Sequence, residues 1–381
     1  MKKFLVFGLI LAIAGGAFAQ SFTIGGGIST GLAVQWDEDG VEARMRYPAE
    51  HNGIRITLTG DSVNALGTVG TNFELRWDDV VMLARWDNEE SGEAWIGYVP
   101  EVKRANVWVG LVPNVLTLSF GIGGPGGFAT PGPLANSLDV AEGDLNVTML
   151  INPVPQVTIG ATVNLPEIST DIGGAGWGFH ESDIYYSLGV RVNLENAANI
   201  VLNFTQNLDS KEVDMAAGFN LLALRAFTFG VDLALKDFFG DDDLVFSFGH
   251  SSSLIAGNFQ ADLNGRYFRD IGPDNNGLVM LYDANFQYSF GAVTPRLGLG
   301  FGWNTSRPEK DDFYSELKPS SALVEEAAFP SQPWVSMIFN PNVLFNFGAS
   351  DLEIGFSLYF DGFDEDLTIY NALYFGYKYN F

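Results

Sequence analysis

The stretch LYFGYKYNF (373–381) decides how the rest of the chain is read. Taken in steps of two, Leu373, Phe375, Tyr377, Tyr379 and Phe381 share one face, while Tyr374, Gly376, Lys378 and Asn380 share the other. A repeat of two residues belongs to a β-strand, whose side chains point alternately to its two sides. One face here is aromatic and greasy and the other small or polar, where soluble domains more often carry a frayed polar tail.

Outward from this stretch the same alternation runs through nearly the whole chain. Ile24, Ile28, Leu32 and Trp36 alternate with Thr23, Gly27, Gly31 and Gln35. Leu145, Val147, Met149 and Ile151 form one apolar face, and Val157, Ile159, Ala161 and Val163 another, with Asn152-Pro153-Val154-Pro155 between them. Proline cannot donate to a strand ladder, so these two runs read as a hairpin. Later runs repeat the pattern, among them Phe227, Phe229, Val231, Leu233 and Leu235, and Leu352, Ile354, Phe356, Leu358 and Phe360. Strands of a soluble sandwich are usually about 5–6 residues long. Most runs here extend to about ten or more, the length a tilted strand needs to cross a bilayer.

The connections alternate as well. Short links are expected at 152–155, 195–199, 220–224, 250–254, 291–292 and 348–351, and longer polar ones at 166–183, 207–211, 236–242, 269–277, 305–332 and 362–366. Outer-membrane barrels have this asymmetry, with short turns at one end and long loops at the other. Residues 54–122 are ambiguous: FELRWDDVVMLARW is one strand or a hairpin at Asp78-Asp79, and ANVWVGLVPNVLTLSFGIG is one strand or two divided at Pro113-Asn114. The fold class that follows is all-β: a transmembrane antiparallel up-and-down β-barrel of about 18 strands, within 16–20.

Composition supports this reading, since 44 Gly and 31 Phe accompany only 17 % charged residues. The opening MKKFLVFGLILAIAGGAFAQS has a basic start, an apolar run at 4–16 and the small-residue site Ala17-Phe18-Ala19. It reads as a signal peptide over 1–19, with 20–381 as a single barrel domain. With no cysteine there is no thiol nucleophile or disulfide framework, and a formal net charge of −26 makes nucleic acid a poor partner. His51, His180 and His250 fall in expected links; His180-Glu181-Ser182 and His250-Ser251 invite a hydrolase reading, but adjacency in sequence is not triad geometry, so no enzyme is expected. The acidic runs 37–39, 241–243 and 364–366 lack the spacing of a calcium loop and read as solvated faces; neither metal nor cofactor is expected. Trp36, Trp77, Trp86, Trp108, Trp303 and Trp334 lie near expected strand ends, where their rings suit a membrane interface.

If the apolar faces meet lipid, the opposite faces line the pore: Arg191, Asp232, Asp262, Arg266, Asp283, Arg296, Glu353 and Lys378 carry charges of both signs there. Two long links, 123–144 and 305–333, are candidates for a loop folded inward to narrow it. Ion selectivity follows the charges at such a constriction, and 46 acids against 20 bases make a mild cation preference the default.

The leader, the succession of amphipathic strands and the last strand ending on Phe381 together resemble a bacterial outer-membrane β-barrel of the porin type. The resemblance rests on pattern across the mature chain, not on a residue-by-residue motif. It implies an outer-membrane location with both termini periplasmic. It also implies that Leu373, Phe375, Tyr377, Tyr379 and Phe381 are an insertion signal read by the barrel-assembly machinery. Many porins are homotrimers, and the sequence leaves that state open. The function implied is passive diffusion of small hydrophilic solutes and ions. Alternatives are a substrate-selective channel or hydrophobic-compound transporter, and an adhesion or structural barrel that binds through its outer loops.

Overall fold

In the computed structural model, described over residues 21–36, 40–44, 53–64, 67–87, 92–122, 128–134, 145–164, 184–195, 197–208, 211–224, 226–238, 244–271, 278–304, 334–361 and 368–381, every strand has a neighbour on both sides. The expected leader, His51, His180, the three acidic runs and the 305–333 link lie outside those residues.

Nineteen strand segments form one sheet among the described residues. The first nine are β1 (Ser21–Trp36), β2 (Gly40–Arg44), β3 (Gly53–Asn64), β4 (Gly67–Asp87), β5 (Gly92–Val112), β6 (Leu116–Ile122), β7 (Leu145–Val154), β8 (Val157–Asn164) and β9 (Tyr185–Leu194). The next five are β10 (Ala198–Asn207), β11 (Val213–Leu224), β12 (Phe227–Phe238), β13 (Leu244–Ala256) and β14 (Phe259–Ile271). The last five are β15 (Leu278–Tyr288), β16 (Val293–Asn304), β17 (Trp334–Asn346), β18 (Ser350–Asp361) and β19 (Thr368–Asn380).

One edge of β1 pairs antiparallel with β19 through Gly27–Trp36. Its other edge pairs with β3 through Ser21–Ser29 and with β2 through Ala33–Trp36. Both β2 and β3 also pair with β4, at opposite ends of it. These two segments therefore share one place in the wall, and the barrel has 18 strand positions, all antiparallel and closed. Closure is what the bilayer demands, because hydrocarbon offers nothing to an unpaired strand edge.

The two ambiguous stretches resolve in opposite ways. The first is the single strand β4, which passes Asp78-Asp79 with a register shift between Asp78 and Val81. The second divides at 113–115, where Asn114 adopts a positive φ of 59°. Three short links lie later than expected: β7 continues through Pro153 to Val154, β11 continues to Leu224, and β13 runs through 250–254 to turn at Gly257-Asn258. The serines at 251–253 look like turn chemistry, yet they pair along their length with β12 and β14. Ser251 and Ser253 share the inner face of Gly249, where a water-facing wall accepts hydroxyls in mid-strand, Ser252 falls on the outer face with His250, and Gly257 at φ 62° supplies the actual turn.

The two faces of the wall differ in chemistry. Mid-strand Leu202, Leu233 and Phe375 on the outside are 49 %, 44 % and 45 % exposed. Opposite them the inner face carries Asn146 and Thr148, both fully buried, then Thr162, Ser187 and Thr205. Hydroxyl pairs at 2.9 Å join Thr148 to Thr162 and Ser187 to Thr205 across the strands. The interior is thus a polar core held by side-chain hydrogen bonds, inverted relative to a water-soluble domain.

The seam closes on the last residue. Phe381 exchanges two backbone hydrogen bonds of 3.0 Å with Gly26, and its ring occupies the space a Cβ at Gly26 would need. Aromatic pairs sit near both rims of the outer wall, Trp36 with Phe356 at one and Tyr379 with Phe381 at the other.

Candidate functional site in the barrel lumen

The inner faces of β11, β12 and β13 bring together Gly218, Gly230 and Gly249. With no side chains there, the wall has a shallow floor, and the segment Phe128-Ala-Thr-Pro-Gly-Pro-Leu134 from the β6–β7 link lies on it. A Cβ at Gly218 would come 2.5 Å from Pro131 Cδ, one at Gly230 2.7 Å from the Pro131 carbonyl oxygen, and one at Gly249 2.9 Å from Pro133 Cγ. Two prolines stiffen the segment and remove its donors at those positions, leaving carbonyl oxygens to be satisfied.

Side chains rising from the wall hold both ends. Asp232 on β12 accepts hydrogen bonds at Oδ2 from Thr130 Oγ1 (2.9 Å) and from the Leu134 backbone N–H (3.1 Å). Asn203 on β10 donates to the Phe128 carbonyl at 2.6 Å, and Arg266 Nε on β14 donates to the Pro133 carbonyl at 3.1 Å. Arg191 on β9 places its guanidinium 5.8 Å from the centre of the Phe128 ring, within cation–π range. Phe128, Thr130 and Asp232 are almost fully buried by this packing. Of the two inward-loop candidates, the 123–144 link therefore lies against the inner wall in its described part.

The remaining charged positions continue the luminal face in opposed pairs. Arg266 also approaches Asp283 at 4.0 Å, and Asp283 accepts from Asn264 at 2.7 Å. Asp262 accepts two hydrogen bonds from Gln260, at 2.9 and 3.1 Å. Arg296 lies 3.8 Å from Glu353, which with Asn340 also accepts hydrogen bonds from the buried Tyr374 hydroxyl. Lys378 stands opposite Asp351 in the β18–β19 register. On the other side of the seam Arg55 forms an ion pair with Glu74 at 3.1 Å. Leu373, Phe375, Tyr377, Tyr379 and Phe381 all lie exposed on the outer face of the closing strand and its end.

Two aromatic positions differ from the sequence reading. His250 is not in a link; it sits mid-strand on the outer wall, over Gly265 and stacked on Tyr267 at 5.9 Å and Phe248 at 6.1 Å. Trp108 is not part of an interfacial belt: the period of two turns it inward, where its indole fills the space above Gly70. The signal that could have found it is the alternation in β5, which sets Trp108 on one face with Asn106 and Gly110. Phe128, Thr130, Asn203 and the three floor glycines carry no charge or motif that marks them as site residues in the sequence. Inner-face glycines on three successive strands were the available signal that something packs there.

No protein-family model matches the chain, and no curated protein matches it in sequence. Solved structures do match in fold. Pseudomonas aeruginosa OccK7 (OpdD) aligns with TM-score 0.59 at 9 % identity over 95 % of this chain and 99 % of its own. Pseudomonas aeruginosa OpdK, crystallised with vanillate, aligns with TM-score 0.56 at 9 % identity over 96 % and 100 %. Acinetobacter baumannii OccAB4 aligns with TM-score 0.54 at 10 % identity over 95 % and 99 %. The fold is that of the outer-membrane porins, and a closed barrel with an apolar outer wall belongs in an outer membrane.

Proposed function

We propose that this protein is a substrate-selective outer-membrane channel for small solutes, with its termini and short turns on the periplasmic side. The observation that carries the reading is the segment 128–134, tied across the lumen wall by Asp232, Asn203 and Arg266. A segment pinned inside the lumen beside charged walls narrows the path of a solute and lets it be selected by size and charge. Arg191, Asp232, Asp262, Arg266, Asp283, Arg296, Glu353 and Lys378 are the wall positions that meet or shape the path of the solute. OpdK, crystallised with vanillate, supports a small organic solute as the size class. The excess of 46 acids over 20 bases supports a mild preference for cations among simple ions. In biogenesis, Leu373, Phe375, Tyr377, Tyr379 and Phe381 are the signal that the assembly machinery reads before β1 takes its place beside β19.

The test is conductance in planar bilayers after refolding the chain without its first 19 residues. Small steps, with a cation-sided reversal potential in a salt gradient and solute flux that saturates, are the expected result. Large steps with flux strictly proportional to concentration for every small solute would return the reading to a general porin. A folded barrel that passes no current would direct attention to the outer loops as binding surfaces.

A further inference from the structure

The luminal wall around Trp108 differs in chemistry from the charged wall that holds the loop. Its direct cross-strand neighbours are Gly70 on β4 and Ser119 on β6. Gly70 leaves room for the ring: a Cβ there would fall 2.3 Å from two indole carbons and 2.6 Å from the indole nitrogen. The indole thus lies across the glycine, half-buried, with the lumen on its other side. One row away Asn72 Nδ2 donates to Asn106 Oδ1 at 3.3 Å, so two carboxamides border the ring. At the far side of Gly70, on β3, stands the exposed carboxylate of Asp61. Among the described residues no cation is a direct or diagonal neighbour of Trp108.

An aromatic face bordered by amides, a hydroxyl and one carboxylate, without a cation, is the chemistry that takes a neutral hydroxylated ring. The C–H face of such a ring packs on the indole, and its edge hydroxyls find acceptors and donors around the rim. An anionic aromatic solute would find the same stacking surface but, among the described residues flanking Trp108, no positive partner for its charge. We propose that Trp108 is the platform of a luminal subsite for a neutral pyranose-type ring, bordered by Asn72, Asn106, Ser119 and Asp61. The inference rests on the channel reading above and adds a solute class to it. The subsite uses only neutral groups and one acceptor, so it is separate from the Asp232 and Arg266 anchors of the loop.

The experiment measures block of ion current by maltose in planar bilayers, with benzoate as the charged aromatic control, for the wild-type barrel, Trp108→Ala and Trp108→Phe. Maltose is expected to block in a concentration-dependent way, Trp108→Ala to weaken that block about tenfold, in line with loss of one ring-stacking contact, and Trp108→Phe to keep most of it. Benzoate block, if present, is expected to be unchanged in Trp108→Ala. Equal maltose block in wild type and Trp108→Ala overturns the subsite, as does a conducting wild-type channel that maltose does not block at all. A barrel shown to be folded that passes no ions in any variant overturns the channel reading and the subsite with it.

Discussion

Asp232→Ala removes the carboxylate that holds the inward segment at two points. Its Oδ2 accepts from Thr130 Oγ1 at 2.9 Å and from the Leu134 N–H at 3.1 Å, and the residue is 1 % exposed, so water does not weaken either bond. Hydrogen bonds to a charged group contribute about 1.5–3 kcal/mol each, so the lower bound for the pair is about 3 kcal/mol. At about 1.4 kcal/mol per tenfold, the ratio of docked to undocked segment falls roughly a hundredfold. Asn203 and Arg266 still hold the two flanking carbonyls, so the segment is expected to exchange between positions rather than leave the lumen. In single-channel recordings this gives larger mean conductance and open-channel noise that the wild type lacks. Asp232→Asn keeps a carbonyl acceptor without the charge and is expected to fall between the two. A folded Asp232→Ala barrel with wild-type conductance and wild-type noise would refute the idea that this contact holds the segment in the ion path.

Three further substitutions test other parts of the fold. Gly26→Val sets a Cβ 2.3 Å from the Arg55 carbonyl oxygen and 2.8 Å from the Phe381 ring, and the side chain beyond it adds overlap. Overpacking of this kind costs about 1–3 kcal/mol or more; a reduced heat-modifiable fraction on gels is expected, and an undiminished one would mean that the seam adapts. Leu202→Arg places a charge on the lipid face midway along β10, where such a change costs about 2–4 kcal/mol. The urea midpoint of the vesicle-inserted barrel should drop accordingly, and an unchanged midpoint would argue that Leu202 does not face lipid. Tyr374→Phe removes the hydrogen bonds to Asn340 at 2.9 Å and to Glu353 at 3.4 Å inside the wall and is expected to cost at least about 0.5–1.5 kcal/mol by the same measurement, an unchanged midpoint refuting a structural role for the hydroxyl.

The alternation of Phe375 with Tyr374, or of Leu233 with Asp232, was legible residue by residue because the period of a strand is local. From it came the outer and inner faces, the antiparallel order and a count of about 18. Turn positions were less legible. Ser251 to Ser253 carry turn-like side chains but sit in paired strand, Ser251 and Ser253 on the inner face, where water satisfies a hydroxyl as well as a turn does, and Ser252 on the outer face. The strand count was reached by a route the sequence did not disclose, with β2 and β3 sharing one position and the stretch around Pro113 dividing in two.

What only the tertiary structure decided is which inner-face residues meet. Thr130 and Asp232 are 102 positions apart, Pro133 and Arg266 133 apart, and nothing local couples them. Their meeting depends on the register of each strand pair between β9 and β14 and on three glycines that leave the wall low enough to receive the segment. Trp108 shows the same division. Its face follows from counting by twos along β5, but its placement over Gly70 follows from a pairing between strands. A period acts along one strand and is written in the chain, whereas register is a relation between strands and becomes definite only when the barrel closes.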